Sequence, residues 1–352
     1  MTNAPPVAVE WRDGATPRAP DALAVRIIDQ RCLPGALVHR DLHTVDEVVD
    51  AIRTLAVRGA PAIGVAGAMG LVAALARLPN ERERRAALPT IAAAIRGARP
   101  TAVNLPWAID RLCGAAGAVR DGDDLLTHLF VEATAIRDED RAACAAIGEA
   151  GAGLLASLRT TDAPLTVVTH CNAGALATAG IGTALAPLYT LHAQGVPLDV
   201  YVDETRPLLQ GSRLTAWELT RAGIPATLIP DGAAASVLRQ ARRPAVVLVG
   251  ADRIAHNGDI ANKLGTYPLA LAAREHGHAV IVCAPTSTID PSTATGAAIV
   301  IEERGPEEVT HVGDRRLAAD GVRVFNPAFD VTPRDLVSHY VTDRGVVLPP
   351  FA

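Results

Sequence analysis

Aromatic side chains are scarce in this sequence. Phe, Trp and Tyr make up 3% of the 352 residues, whereas hydrophobic residues as a whole make up 49%. The core must therefore consist mainly of Ala, Val, Leu and Ile, which suit close-packed helices and buried parallel strands. A basic balance is also missing, since the net charge is −5. Proteins that hold nucleic acid by bulk electrostatics need a basic surface, so we expect no nucleic-acid partner.

Cysteines are few and form no recognisable pattern. The 5 cysteines are scattered along the chain, and none are spaced as C-x-x-C. This excludes the usual disulfide frameworks and zinc motifs and indicates a reducing compartment. The amino terminus lacks the pattern of a signal peptide, and no apolar run reaches the roughly 20 residues that a membrane span needs. We therefore expect a soluble cytoplasmic protein without a membrane partner.

Several common catalytic motifs are also missing. The sequence contains no G-x-S-x-G elbow, no Walker loop and no H-E-x-x-H motif. Gly180 and Gly182 begin a pattern like a dinucleotide fingerprint, but Leu185 occupies the third glycine position. His276 and His278 form an isolated pair that favours a surface turn over a metal site. We therefore predict neither a metal nor a cofactor.

The first third of the chain has a mainly helical pattern. Thr44 and Glu47 form a capping box, which predicts a helix start. A short strand is predicted at Leu23–Asp29, and helices are predicted at Val45–Ala56, Ala62–Leu78, Pro89–Arg96, Pro106–Val119 and Asp123–Leu158. Two of these helices open with a proline, which is tolerated at the first helical position. We predict a helical N-terminal domain over residues 1–121.

The rest of the chain alternates short apolar runs with segments of helix length. The runs predict strands at Leu165–Thr169, Asp199–Asp203, Ala226–Ile229, Ala245–Val249 and Ala279–Cys283. Helices are predicted between them at Leu176–Gln194, Ser212–Ala222, Ala233–Ala241 and Tyr267–His276. This alternation predicts an α/β fold with a Rossmann-like parallel-sheet domain over residues 122–352. Ligands bind such open sheets at the carboxyl ends of the strands.

Two of these strand ends carry residues suited to proton transfer. Cys171 follows the first strand between His170 and Asn172, just before a predicted helix whose dipole would favour a thiolate. The alternative is that Cys171 is a small buried hydrophobe. Asp252 follows a fully apolar strand, where partial desolvation suits a carboxylate to acid–base work. The alternative is an ion pair with Arg253 or another arginine.

Basic residues that suit phosphate are also recognisable. Lys263 is the only lysine, since every other basic residue counted with it is arginine. Lysine supplies a compact ammonium that arginine cannot, which indicates a function for Lys263. The alternative is that Lys263 survives by chance as a surface residue. Arg58 and Arg99 lie in turns beside glycine or proline, and arginine forks suit phosphate oxygens. Either arginine could instead be a solvated surface residue.

Seven segments together resemble the methylthioribose-1-phosphate isomerase family, which is related to regulatory subunits of the translation-initiation guanine-nucleotide exchange factor. The matching segments are VRGAPAIGVAGAMG (57–70), ARPTAVNLPWAIDR (98–111), THCNAGALATAG (169–180), DETRPLLQGSRLTAWEL (203–219), VGADRIAHNGDIANKLGTYPLA (249–270), PTSTID (285–290) and FNPAFDVTP (325–333). They occur in the expected order over nearly the whole chain. One departure is visible at Pro230–Ser236, where the family commonly shows an Asp-Asn-Met-Ala-like turn and only Asp231 is kept.

The resemblance implies an aldose–ketose isomerase of methionine salvage that converts 5-methylthioribose-1-phosphate into 5-methylthioribulose-1-phosphate. It implies that Cys171 and Asp252 are catalytic, and it implies a homodimer. The positions that it assigns to substrate binding are Arg58, Gly59, Ala60, Arg99, Gln210, Asn262 and Lys263. Two alternatives stay open. One is an isomerase of 5-deoxyribose-1-phosphate or ribose-1,5-bisphosphate, and the other is a non-catalytic regulatory subunit that senses sugar phosphates or nucleotides.

Overall fold

A computed structural model of the chain describes residues 4–99, 103–120, 122–241 and 245–351. The chain divides into two units. We call one the helical unit, which comprises Pro5–Ala145 and Ala173–Gly182. The other, the sheet unit, consists mainly of Ala146–Asn172 and Thr183–Ala352. The separate domains expected on either side of residue 121 stay a prediction.

In the helical unit, a small antiparallel sheet precedes a series of helices. The strands β1 (Val9–Trp11), β2 (Val25–Ile28) and β3 (His39–Leu42) pair in the order β1–β2–β3. The helices are α1 (Val45–Arg53), α2 (Ala60–Ala76), α3 (Glu81–Arg96), α4 (Asn104–Gly117) and α5 (Leu125–Leu158), and the last part of α5 belongs to the sheet unit. Only β2 was predicted, because β1 and β3 are too short and too polar to show a clear strand pattern.

Helix α2 forms the centre of the hydrophobic core of this unit. Almost all of its side chains are buried, as expected for a helix that is apolar on every face. Its small residues allow close packing against the start of α4. A Cβ atom on Gly64 would lie 2.9 Å from the carbonyl oxygen of Asn104, and one on Gly67 would lie 2.4 Å from the Leu105 side chain. The scarcity of aromatic residues therefore goes together with tight helix packing.

Side-chain caps set the start of two helices. The capping box is confirmed, since Glu47 N–H donates to Thr44 Oγ1 at 3.3 Å and Thr44 N–H donates to the Glu47 carboxylate at 2.9 Å. Helix α3 begins well before Pro89, because Asn80 Oδ1 accepts the Glu83 N–H at 3.0 Å and caps the first turn. Pro89 lies inside α3, so its predicted place at the helix start was wrong.

The sheet unit alternates strands and helices. Its strands are β4 (Leu165–Thr169), β5 (Leu198–Asp203), β6 (Ala226–Ile229), β7 (Ala245–Val249), β8 (Arg253–Ala255), β9 (Ile260–Lys263), β10 (Ala279–Cys283), β11 (Ile289–Asp290), β12 (His311–Val312), β13 (Arg315–Arg316), β14 (Phe329–Thr332), β15 (His339–Thr342) and β16 (Gly345–Val347). Its helices are α6 (Ala186–Ala193), α7 (Ala216–Ala222), α8 (Ala234–Gln240), α9 (Thr266–Glu275) and α10 (Glu307–Thr310).

Seven of these strands form one sheet in the order β16–β15–β10–β7–β4–β5–β6. Every neighbouring pair in it is parallel except β15–β16. The α/β fold with a mostly parallel sheet is therefore confirmed. A second sheet has the order β11–β8–β9–β14, and it carries residues that the sequence assigned to a strand-end loop. Across the described residues, no helix has the length and apolar character that crossing a membrane requires.

Candidate active site

The direction in which the chain adds strands to the large sheet changes at the β4–β7 pair. Strands β5 and β6 lie on one side of β4, whereas β7 and β10 lie on the other. Open α/β sheets bind ligands at the carboxyl ends of the strands at such a switch point. Thr169 of β4 pairs with Leu248 of β7. Cys171 and Asp252 follow these two strands, so they lie at neighbouring strand ends of the sheet.

Cys171 has a left-handed backbone conformation, with a φ angle of 66°. Its amide N–H donates to Thr205 Oγ1 at 2.9 Å, and its carbonyl accepts from Thr215 Oγ1 at 2.6 Å. Outside glycine such a conformation costs on the order of 1–3 kcal/mol, so the surrounding structure must hold it in place. The hydroxyls of Thr205 and Thr215 therefore position the backbone of this half-buried cysteine.

The segment that follows Cys171 differs from the prediction. A 3-10 turn spans Ala175–Ala177, and α6 begins only at Ala186. The helix start predicted at Leu176 was therefore wrong. The dipole of that helix was the stated reason for a thiolate at Cys171, and this reason no longer applies.

Asp231 fixes the loop after β5. Its carboxylate oxygens accept the amide N–H of Thr205 at 2.7 Å and that of Arg206 at 2.8 Å. Thr205 is also left-handed, with a φ angle of 64°. Its hydroxyl donates to the carbonyl oxygen of Asp203 at 3.0 Å. Asp231 is the residue kept where the sequence departs from the family pattern. It thus fixes the backbone of Thr205, and the Thr205 hydroxyl in turn binds the Cys171 amide.

Asn172 belongs to a buried polar cluster. Its amide donates to Glu218 and, at 3.2 Å, to Thr215 Oγ1. The hydroxyl of Tyr189 donates to the other oxygen of Glu218 at 2.9 Å. Burial and the neighbouring carboxylate raise the pKa of Tyr189, so its hydroxyl stays a donor. Sequence reasoning missed Glu218, because an acidic residue inside a helix is usually exposed.

His170 links the loop after β4 to the end of β5 and to the residue that follows β9. Its Nδ1 lies 2.9 Å from Asp203 Oδ2, and its Nε2 lies 2.8 Å from the carbonyl oxygen of Leu264. With Asp231 these side chains form a group whose possible metal-ligating atoms lie within 4.8 Å of one another. Both ring nitrogens of His170 and both oxygens of Asp231 already take part in hydrogen bonds. We interpret the group as a hydrogen-bonding network rather than as a metal site.

Lys263 is buried, with 6% of its surface exposed. Its Nζ donates to the carbonyl oxygen of Ala328 at 2.8 Å and lies 5.2 Å from the centre of the Phe329 ring. The neighbouring Asn262 is also buried, and its amide donates to Thr266 Oγ1 at 2.9 Å. Burying an ammonium is costly unless it has partners. The alternative that this lysine survives by chance on the surface is therefore wrong.

Asp252 lies at the start of the β8–β9 hairpin. Its amide N–H donates to the carbonyl oxygen of Ala261 at 2.9 Å, and the residue is half-buried. The adjacent Arg253 forms an ion pair with Asp290 at 3.6 Å. Strand pairing therefore fixes the backbone of Asp252 beside the strand that carries Asn262 and Lys263.

Gln210 presents a buried acceptor. The residue is 5% exposed, and its Oε1 has no hydrogen-bond partner within the part of the chain that the structure describes. The next residue, Gly211, packs closely against β5, since a Cβ atom on it would lie 1.7 Å from the carbonyl oxygen of Asp203. Buried polar atoms without a partner are rare and call for an explanation, and a ligand hydroxyl is one.

The other predicted binding residues belong to the helical unit. Arg58 and Gly59 directly precede α2, and Ala60 is its first residue. Gly59 has a φ angle of 92°, and a Cβ atom there would lie 2.5 Å from the carbonyl oxygen of Ala177, so only glycine fits. The first amide groups of a helix have no partner within it and attract anions. Arg99 lies half-buried after α3.

Known proteins resemble this chain over most of its length. The model of the initiation factor 2 subunit family matches residues 56–349. A methylthioribose-1-phosphate isomerase from Gemmatimonas aurantiaca is 58% identical, covering 95% of this chain and 93% of its own. A 5-deoxyribose 1-phosphate isomerase from Moorella thermoacetica is 52% identical, and the match covers 98% of this chain and 95% of that protein. The crystal structure of a 5-methylthioribose 1-phosphate isomerase from Pyrococcus horikoshii matches this chain with a TM-score of 0.86 and 41% sequence identity. The match covers 98% of this chain and 93% of that protein. The resemblance drawn from the sequence motifs is confirmed.

Proposed function

The chain belongs to the initiation factor 2 subunit family, and we propose that it is an aldose–ketose isomerase that converts 5-methylthioribose-1-phosphate into 5-methylthioribulose-1-phosphate. Relatives that cover nearly the whole chain carry that name. The observation that carries the proposal is the position of Cys171 and Asp252 at neighbouring strand ends of the switch point. A thiol and a carboxyl group are the two proton carriers that this isomerisation needs.

Asp252 is proposed to move protons at the sugar oxygens. The substrate is a phosphorylated acetal, so its ring cannot open spontaneously to a free aldehyde. Asp252, in its acid form, donates a proton to the ring oxygen as the C1–O bond breaks. It later recovers a proton from the C2 hydroxyl as the ketone forms. General acid–base catalysis of this kind typically contributes about 10²–10⁴-fold in rate.

Cys171 is proposed to move the proton between the two carbons. Its thiolate removes the proton from C2, which gives an enol between C1 and C2, and the thiol then returns the proton to C1. Two protons are added and two are removed in total, so the product is an isomer of the substrate. A hydride shift from C2 to C1 is the competing route. In heavy water the proton route places deuterium at C1 of the product, and its absence would favour the hydride route.

The remaining predicted residues are proposed to bind the substrate. Arg58, Gly59, Ala60 and Arg99 suit the phosphate group, since they combine two guanidinium groups with the amino end of α2. Gln210, Asn262 and Lys263 suit the sugar hydroxyls and the oxyanion that develops at C2. The unpartnered Oε1 of Gln210 supports this assignment.

Carbon NMR of 5-methylthioribose-1-phosphate incubated with the purified, chelator-treated protein tests the proposal. We expect a new ketone carbon signal. A relative named 5-deoxyribose 1-phosphate isomerase supports 5-deoxyribose-1-phosphate as an alternative substrate, so both sugars should be compared by kcat/KM. Turnover of ribose-1,5-bisphosphate alone would redirect the assignment, and turnover of none of the three would favour a non-catalytic regulatory subunit.

The proposal includes a homodimer that works in the cytoplasm. Strand β6 ends the seven-stranded sheet, and its residues Ala226, Thr227 and Leu228 are exposed. Leu228 is 49% exposed, and exposed apolar edge strands tend to pair with another chain. The cytoplasm suits a chain whose five cysteines form no disulfide. Light scattering should give twice the chain mass, and Leu228→Glu should lower it if this edge forms the contact.

A further inference from the structure

His170 lies where three loops of the sheet unit meet, and the proposed mechanism gives it no task. Its imidazole is buried, with 2% of the residue exposed. One ring nitrogen faces Asp203 at the end of β5, and the other faces the carbonyl of Leu264, which directly follows Lys263. We propose that His170, sharing a proton with Asp203, is a positioning residue that fixes Cys171 relative to Lys263. This rests on the isomerase function proposed above.

The hydrogen bonds determine how many protons the pair holds. A carbonyl oxygen can only accept, so the 2.8 Å contact with Leu264 requires a proton on Nε2. The 2.9 Å contact between Nδ1 and Asp203 Oδ2 then requires one further proton, carried either by the nitrogen or by the oxygen. In both cases the pair as a whole is electrically neutral, and its titration belongs to both groups together.

Burial favours this neutral state. Asp203 is 1% exposed, and its Oδ1 has no hydrogen-bond partner within the described part of the chain. Without the shared proton, the pair would carry a buried negative charge with an unpaired oxygen, which is strongly unfavourable. Charged groups near the pair are Asp231, which interacts with both partners, Glu204, which interacts with Asp203, and Asp330 of β14, which interacts with His170.

The pKa shifts of the two partners agree with a retained proton. Burial alone would lower the pKa of His170, but the hydrogen bond and charge of Asp203, together with the Leu264 carbonyl and the charge of Asp231, raise it above the ordinary 6.5. Burial raises the pKa of Asp203, and His170 offsets this only in part. A raised pKa in the folded state stabilises the fold at low pH. That contribution is lost as the pH rises through the raised pKa of His170.

Packing leaves the imidazole little freedom. Gly265 has a φ angle of 109°, and a Cβ atom there would lie 2.6 Å from Cε1 of His170. The ring therefore fills the space that a side chain at this position would occupy. His170 directly precedes Cys171, and Leu264 directly follows Lys263. The ring therefore connects the backbone segments that carry two proposed active-site residues. A displacement of about 1 Å in such a site can lower the rate about 100-fold.

Matched variants separate positioning from general stability. Asp203→Asn keeps a donor toward Nδ1 and the neutral charge, whereas Asp203→Leu removes the bond with little change in size. We expect Asp203→Asn to retain kcat within about fivefold, and Asp203→Leu to lower kcat about 10–100-fold with KM nearly unchanged. His170→Asn cannot span both partners and should behave like Asp203→Leu. Equal kcat values in Asp203→Asn and Asp203→Leu would overturn the proposal.

One further measurement uses only wild-type protein and stays informative if a variant fails to fold, and a second stays informative if the wild type proves inactive. In wild-type protein with ¹⁵N-labelled histidine, we expect His170 Nε2 to stay protonated through the range of about pH 5–8 in which an ordinary imidazole changes its charge. Titration like an exposed imidazole would refute the shared proton. In Asp203→Asn and Asp203→Leu, the alkylation rate of Cys171 by iodoacetamide can be followed by peptide mass spectrometry, with the exposed Cys32 as internal reference. We expect a change of about fivefold or more only in Asp203→Leu, and no change there would contradict positioning even without isomerase activity.

Discussion

Thr205→Val removes one hydroxyl from the site and keeps the branched shape of the side chain. That hydroxyl accepts the amide N–H of Cys171 at 2.9 Å and donates to the carbonyl oxygen of Asp203 at 3.0 Å. Thr205 is fully buried, at 0% exposure. A hydrogen bond contributes about 1 kcal/mol net, and a buried partner left without one costs about 1–3 kcal/mol. We therefore expect the free energy of unfolding to fall by about 2–4 kcal/mol.

The same change should also affect turnover. Without the Thr205 hydroxyl, less of the structure holds the left-handed backbone of Cys171, whose φ angle is 66°. If even about 1.4 kcal/mol of this support is lost in the transition state, kcat falls about tenfold. KM should change little, because the substrate-binding side chains are untouched.

Thr205→Ser is the control for this experiment. It keeps the hydroxyl and removes one buried methyl group, which costs about 1 kcal/mol. Urea unfolding gives the free energies of the wild type and both variants, and formation of the ketone from 5-methylthioribose-1-phosphate gives kcat. If Thr205→Val were as stable and as active as Thr205→Ser, the hydroxyl would not hold Cys171 in place.

Three other predictions concern catalysis, packing and pH. Cys171→Ala and Asp252→Asn should each remove most turnover while calorimetry shows nearly unchanged substrate binding, and near-normal kcat in either would remove that residue from the mechanism. Gly59→Ala should cost at least about 2 kcal/mol in urea unfolding, because a Cβ atom there would lie 2.5 Å from a backbone carbonyl oxygen; an unchanged midpoint would mean that the turn adapts. The hydrogen bond from Arg31 lowers the pKa of Asp29 below the ordinary 3.8. The ionised Asp29 therefore stabilises the folded state fully above about pH 3.8, and this stabilisation is lost as the pH falls through the lowered pKa. The free energies of unfolding of wild type and Asp29→Asn should therefore converge at low pH.

Much of the sheet unit could be predicted from the sequence. The bounds of β4, β6, β7 and β10 match the predicted strands, because each is a short run of apolar residues between polar or glycine-containing segments. Other strands were missed. β9 contains Asn262 and Lys263, and it becomes a strand only by pairing with β8 and β14. Local sequence carries little signal for such a strand.

Some of the structure around the candidate site could also be predicted from the sequence. The polar residues after strands β4 and β7 were recognisable, because a parallel sheet exposes its carboxyl ends to ligands. The roles of Thr205, Glu218 and His170 were not, since each depends on a partner distant in sequence. The dipole argument for Cys171 failed for a related reason. The following residues form a 3-10 turn before α6, although their composition is compatible with a helix.

The sequence by itself determined which segments form the central strands, which residues follow them and which family the chain resembles. These properties depend on side-chain types and on the periodicity of apolar residues along the chain. Only the tertiary structure decided that β4 lies beside β7, that Cys171 is left-handed and that His170 Nδ1 lies 2.9 Å from Asp203 Oδ2. The physical reason is that strand pairing, burial and hydrogen bonds join groups far apart in sequence, and a one-dimensional pattern does not specify which of them meet.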